Sequence, residues 1–254
     1  MDGKMRTLEG RHVLVTGGSR GLGLGLVEAL VARKARVTVV ARDAARLADV
    51  QRRLGVAVAQ GDVTDQALAR ALLCDVRPSV LVLNAGATPA MAPLHEQTWE
   101  GFSAPWNTDV KAGLFWVQEA LRLPLADGSR VLLGSSGAAV KGSPLSGGYA
   151  GAKRMLWMMA HYANTVSAEL HLGIRFQAII PQQMIGDTDL GRAGAEAYAK
   201  RKGVTPEVFL AGFGKPMSPR DFGEHIVTIL TDVTYESGTA FGLKGDTGIV
   251  SLDD

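Results

Sequence analysis

The sequence predicts a doubly wound parallel α/β sheet, three layers deep in the order α/β/α, and three observations carry that expectation. Short β-branched runs alternate with amphipathic segments along the whole chain. The runs are hydrophobic almost throughout, as strands covered on both faces of a parallel sheet are. A glycine-rich turn stands directly between the first run and the first amphipathic segment. In order, the strand candidates are HVLVTG (12 to 17), RVTVVA (36 to 41), VAVAQG (56 to 61), SVLVLNAG (79 to 86), RVLLGSS (130 to 136) and IRFQAII (174 to 180). Between them, 23 to 35, 108 to 121 and 148 to 170 carry helical patterns, which makes repeated βαβ units with right-handed crossovers. No linker divides the chain and no repeat appears, so residues 1 to 254 are expected to form one domain. Residues 181 to 220 depart from the alternation: polar and Gly-rich, with a short helical stretch near 193 to 202, they read as an insertion over a sheet edge. Its central part, 184 to 215, is expected to cover a substrate, as long excursions often do.

Composition narrows the function classes. Twenty-seven basic against 25 acidic residues leave a formal charge of +2, too little for a nucleic-acid footprint, and the one dense cluster, Lys200 to Lys202, reads as a solvated helix face. No apolar run approaches the ~20 residues of a membrane span, and MDGKMRTLEGRHVLVTGG lacks a signal-length stretch, so the expected setting is cytoplasmic. Cys74 has no partner for an intrachain disulfide, consistent with a reducing compartment, and reads as a small buried hydrophobe. His12, His95, His161, His171 and His225 show no ligand spacing, and no metal site is expected.

The first chemical signal is the turn Gly17, Gly18, Ser19, Arg20, Gly21, Leu22, Gly23. Gly17 permits a tight exit from the strand, while Gly21 and Gly23 let free N–H groups of a helix N-terminus approach a pyrophosphate. In NAD-binding folds an acidic residue closes the second strand; here Ala41 is followed by Arg42, with a second guanidinium at Arg20. Two arginines suit a ribose 2′-phosphate, so NADP (as NADPH) is favoured over NAD, with Asp43 as the counterargument.

The second signal is Tyr149 and Lys153, four apart at the start of a helix and therefore on one face. A phenol is a weak base at neutral pH, but a neighbouring ammonium stabilises the phenolate and makes proton exchange with an alcohol or carbonyl feasible. Tyr198 and Lys202 repeat the spacing. Only the first pair follows a strand ending in hydroxyls, Ser135 and Ser136, at the carboxyl edge where ligands bind; Tyr198 reads as part of an amphipathic surface helix.

TGGSRGLG, then NAG at Asn84 to Gly86, then a serine thirteen residues before YAGAK, together resemble the short-chain dehydrogenase/reductase family from about Leu8 to Gly245. The resemblance implies a seven-stranded Rossmann sheet, NAD(P)-dependent hydride transfer on a small carbonyl or alcohol, and a homotetramer or homodimer. It implies that Ser136 polarises the substrate oxygen, that Tyr149 is general acid in reduction and base in oxidation, and that Lys153 holds the nicotinamide ribose. It implies cofactor contacts at Asp62 for adenine and Asn84 beside the central strand. Ser19, Leu22, Val63, Ala85, Gly86, Pro181 and Thr188 join them.

Three departures accompany it. Asp109 stands where the family has an asparagine on the helix after the fourth strand; Asn107 is two residues early. The expectation is that Asp109 orders a water mainly through its backbone, partly screened by solvent, the alternative being that its carboxylate faces Lys153, stabilises the ammonium and alters its field. Pro181 is followed by Gln182 rather than Gly, with Thr188 two positions late, and the C-terminal double glycine is reduced to Gly245. A carbonyl reductase or alcohol dehydrogenase is therefore expected, the alternative being a catalytically silent NADP-binding sensor on the same fold.

Overall fold

The computed structural model describes residues 7 to 253. Within them, strands and helices alternate as β1 (His12–Thr16), α1 (Gly21–Ala32), β2 (Arg36–Ala41), α2 (Ala44–Leu54), β3 (Ala57–Gln60), α3 (Gln66–Val76) and β4 (Val80–Leu83). The second half runs α4 (Trp99–Pro105), α5 (Lys111–Arg122), β5 (Arg130–Gly134), α6 (Ala138–Lys141), α7 (Tyr149–Glu169) and β6 (Arg175–Pro181). After β6 come α8 (Asp189–Lys202), α9 (Pro206–Ala211), α10 (Pro219–Thr231), β7 (Ala240–Lys244) and β8 (Gly248–Ser251).

The sheet order is β3-β2-β1-β4-β5-β6-β7-β8, parallel except for β8, which pairs antiparallel with β7. Val15 sits opposite Val39 on one side and Val82 on the other, and every residue of β4 is buried, which is why these strands read as unbroken apolar runs. On one face α1 and α10 pack over Val13, Val15 and Val39; on the other, Trp116 of α5 and Leu156 and Ala160 of α7 pack over Leu14, Leu81 and Leu133. The strand order reverses between β1 and β4, so a crevice opens above their carboxyl ends.

Local chemistry sets the ends of the elements. Asp43 caps α2 through the Arg46 N–H, and left-handed Gly55 closes it. Ser218 and Asp221 form a reciprocal capping box on α10.

Three sequence expectations are corrected. The sheet has eight strands, not seven: the segment after Gly238 folds back through Gly245 to Thr247 and adds β8 to the edge. Cys74 is exposed, because α3 turns Ala69 and Leu73 inward instead. The helix expected over 108 to 121 starts its regular turns at Lys111, after a π-helical turn at Trp106–Val110 that follows Pro105. No helix among the described residues is long and apolar enough to cross a membrane.

Candidate active site

A cleft of about 770 Å³ lies over the β1/β4 crevice. Gly17 and Gly21 adopt φ of +69° and +53°, and a Cβ at Gly17 would stand 2.8 Å from the Ala85 Cα. No side chain caps α1, so its first N–H groups stay available to an anion. Thr16 Oγ1 accepts from the N–H groups of Asn84 and Ala85, and the Asn84 amide donates to the Gly17 carbonyl at 3.3 Å, tying the turn to the end of β4. Ser19, Arg20, Leu22, Arg42, Asp62, Val63, Gly86 and Thr188 complete the walls expected from sequence. Gly23 and Pro181 do not line this cleft. Gly23 permits the fold of the turn, since a Cβ there would lie 2.2 Å from the Gly17 carbonyl oxygen, and Pro181 faces a second cavity.

Charge in the cleft is distributed unevenly. Arg20 is ion-paired with Asp189, whereas Arg42 has no carboxylate partner among the described residues. Arg46, absent from the sequence reading, also lines the cleft, with its Nε 3.3 Å from Asp43. Asp43 is thus engaged twice, as helix cap and as ion-pair partner. Asp62 accepts from the Thr64 N–H and hydroxyl, and these bonds, with Arg42 and Lys111 nearby, hold its carboxyl below the usual range. Thr188 caps α8 with its hydroxyl and turns its methyl toward Gly21.

At the inner end of the cleft Tyr149 opens α7, with Lys153 one turn on. The start of that helix is held by Trp106, whose indole donates to the Gly148 carbonyl at 3.1 Å, and by Ser135, whose hydroxyl donates to the Lys153 carbonyl at 2.8 Å. The Lys153 ammonium donates to the Gly134 carbonyl at 3.0 Å and lies 5.6 Å from the centre of the Tyr149 ring. Its Nζ is also 3.0 Å from Asp109 Oδ2, both side chains being buried (7% and 0% exposed). The expected screening of Asp109 by solvent is therefore corrected: the π-helical turn aims the carboxylate inward, and Oδ1 accepts from the Ala87 N–H at 2.7 Å. Burial alone would drive the Lys153 pKa down; the charge of Asp109, the Tyr149 oxygen and the close Asp109 contact outweigh it and hold the ammonium above its ordinary range.

A second cavity of about 470 Å³ adjoins the first, and Leu22, Tyr149, Thr188 and Leu190 line both. Ser136 faces it, accepting from the Ala138 N–H at 3.3 Å. α8 and α9 close it from the 181 to 220 segment, with Phe209 and Phe213 on its wall. Gln183 anchors that segment: it donates to the Phe213 and Lys215 carbonyls and accepts from the Gly245 N–H. Tyr198 is not the surface residue expected of a pair that follows no strand ending in hydroxyls. Its hydroxyl bonds Ser143 Oγ at 2.8 Å and its ring stacks on Phe209 inside this cavity. Lys202, read as part of a solvated cluster, lines it too.

Set beside known proteins, this arrangement has clear relatives. The family model described as short chain dehydrogenase matches residues 11–198. The chain belongs to the short chain dehydrogenase family. Among its relatives, sorbitol dehydrogenase of Cereibacter sphaeroides is 31% identical over 191 residues, 71% of this chain and 73% of that one. A hydroxynaphthalene reductase of Aspergillus fumigatus is 31% identical over 205 residues, 76% and 72% of the two chains. Human L-xylulose reductase is 36% identical over 106 residues, covering 41% of this chain and 43% of its own. A solved short chain dehydrogenase/reductase family protein superimposes with a TM-score of 0.74 at 23% identity, over 94% of this chain and 96% of that one, the same fold. As a short chain dehydrogenase, the protein is an oxidoreductase of a family that works with nicotinamide cofactors.

Proposed function

We propose that this short chain dehydrogenase transfers a hydride between NADP(H) and a carbonyl or secondary alcohol, with Ser136, Tyr149, Lys153 and Asp109 as its site. The observation that carries this reading is Tyr149, whose side chain lines both cavities at once. Bound in the larger cleft, the nicotinamide would supply or accept the hydride. The glycine turn and the open N-terminus of α1 would hold the pyrophosphate, Asp62 and Val63 the adenine side, and Asn84, Ala85 and Gly86 the floor. Ser136 donates a hydrogen bond to the substrate oxygen. Tyr149 gives that oxygen a proton in reduction and takes it back in oxidation. Lys153, fixed by Gly134 and Asp109, holds its positive charge beside the phenol and offers a donor to the ribose.

NADP is preferred over NAD because Arg42, which makes no ion pair among the described residues, stands at the end of β2 with Arg46 nearby, while Asp43 is held by α2 and Arg46 and Asp62 by Thr64. One charge-assisted contact supplies about 1.4 kcal/mol or more. Catalytic efficiency with NADPH should thus exceed that with NADH at least about tenfold, and Arg42→Ala should erase most of the difference; equal efficiencies in the parent protein reject the preference.

The printed names of the relatives, a sorbitol dehydrogenase, an L-xylulose reductase and a hydroxynaphthalene reductase, support a small alcohol or carbonyl substrate. We read residues 1 to 254 as one domain acting in the cytoplasm as a homodimer or homotetramer. Exposed Trp99, Leu114 and Tyr162 on α4, α5 and α7 support the assembly, which a monomer mass in light scattering would reject.

A further inference from the structure

The second cavity carries charge of one sign. Lys141, the last residue of α6, and Lys202, the last of α8, both line it, and among the described residues no aspartate or glutamate does. Among the described residues neither ammonium has an ion-pair partner, and the two carboxylates nearest Lys202 in sequence, Glu196 and Glu207, do not line the cavity. Lys202 Nζ instead lies 5.1 Å from the centre of the Phe209 ring, which itself stacks on Tyr198 and meets Phe213 edge-on.

The remaining wall is chiefly apolar, with Met91, Met184, Ile185 and Leu190. Seven hydroxyl-bearing residues line the cavity, but Ser135, Ser146 and Thr188 donate to backbone carbonyls, and Ser143 and Tyr198 are bonded to one another at 2.8 Å. A cleft with low-dielectric walls and uncompensated positive charge draws anions, because field lines are focused into it. A polyol would meet the opposite situation, many hydroxyls against few free partners.

We propose that the substrate is an apolar, ring-sized carbonyl compound bearing a carboxylate. The carboxylate is held by Lys141 and Lys202, and the carbonyl meets Ser136 and Tyr149. The identity of the reacting end rests on the function proposed above; the anion site does not. Lys141 and Lys202 are specificity residues that touch substrate away from the bond that changes.

Binding measured without turnover separates the two readings. Calorimetry on the full chain, with NADPH present, would compare para-isopropylbenzoate with para-isopropylbenzamide, isosteres that no hydride can reduce. Each exposed pair contributes at most a modest gain, so the benzoate should bind about fivefold or more tighter than the amide, with the ratio falling as salt rises. In Lys141→Gln/Lys202→Gln the ratio should drop to near one, while Lys141→Arg/Lys202→Arg should keep it; both lysines are exposed, so these variants are expected to fold. Equal affinities in the parent protein, or a preference that survives the double Gln variant, overturn the proposal. Turnover of para-acetylbenzoate is scored separately. Its absence beside an intact benzoate preference counts against hydride transfer and leaves the anion site standing.

Discussion

One oxygen separates Tyr149 from phenylalanine, and the proposed chemistry needs that oxygen while the walls of the cleft need only the ring. Tyr149→Phe should lower turnover about 10²- to 10⁴-fold, the range of general acid–base catalysis, and leave the NADPH dissociation constant within about threefold; a comparable loss of NADPH binding would make Tyr149 a cofactor residue instead. Asp109 is the residue where geometry changes the expectation most. Its carboxylate is the buried counter-charge of Lys153, so Asp109→Asn leaves an ammonium without its partner, a loss of about 3 kcal/mol. For a chain of this size that lowers the Tm by about 6 to 12 °C. The sign of the pH dependence follows from Lys153, whose pKa is raised on folding above its ordinary 10.5. Its stabilisation is whole below 10.5 and is lost only as pH climbs through the higher folded value, so the parent protein should keep it undiminished across neutral pH. Meanwhile the variant's pH–rate profile should differ from that of the parent protein, because the buried counter-charge of Lys153 has gone. A variant with an unchanged melting point and profile would restore the backbone-only role. Tyr149 and Lys153 were legible because their relation is local, one helical turn. Asp109 was legible as a site residue, but its burial, like the place of Tyr198, was not. The first depends on a π-helical turn that re-aims one side chain, the second on Ser143, 55 residues away, and neither leaves a periodic trace.

Between residue and fold stands the contact of α1 with α10, where glycine does what no other residue could. A Cβ at Gly25 would lie 2.1 Å from the Pro219 carbonyl oxygen, and that oxygen cannot retreat, because Pro219 opens a helix fixed by the Ser218–Asp221 capping box. Gly25→Ala gains helix propensity, up to ~1 kcal/mol. The clash should nevertheless win, for a net destabilisation of about 1 to 3 kcal/mol. Chemical denaturation checks it, and a stabilised variant would mean that the two helices are free to separate. The first six strands were legible as apolar runs, which burial on both faces explains for all but the edge strand β3, whose residues are exposed or half-buried. β7 and β8 were not, since Gly242 interrupts the first, Gly248 opens the second, and Gly245, Asp246 and Thr247 part them. The segment from 181 to 220 was recognisable as a cover but not as two helices, because the residues that seat it, Gln183 above all, act through carbonyls far along the chain.

At the scale of the molecule, the parallel sheet sets the position of the cofactor cleft, and the segment after β6 sets that of the second cavity. Leu22, Tyr149, Thr188 and Leu190 belong to both spaces, so the partition between them is only one residue thick. A molecule filling the larger space therefore becomes a wall of the smaller one. A carbonyl compound arriving first would find that wall missing, whereas one arriving second meets a finished chamber. Occupancy should follow a compulsory sequence, with the dinucleotide in first and out last. Product-inhibition kinetics read this directly: the oxidised dinucleotide should compete with the reduced one, and the alcohol should not. Competition by both would describe two vestibules that open independently, and the shared partition would then have no bearing on the timing of the reaction.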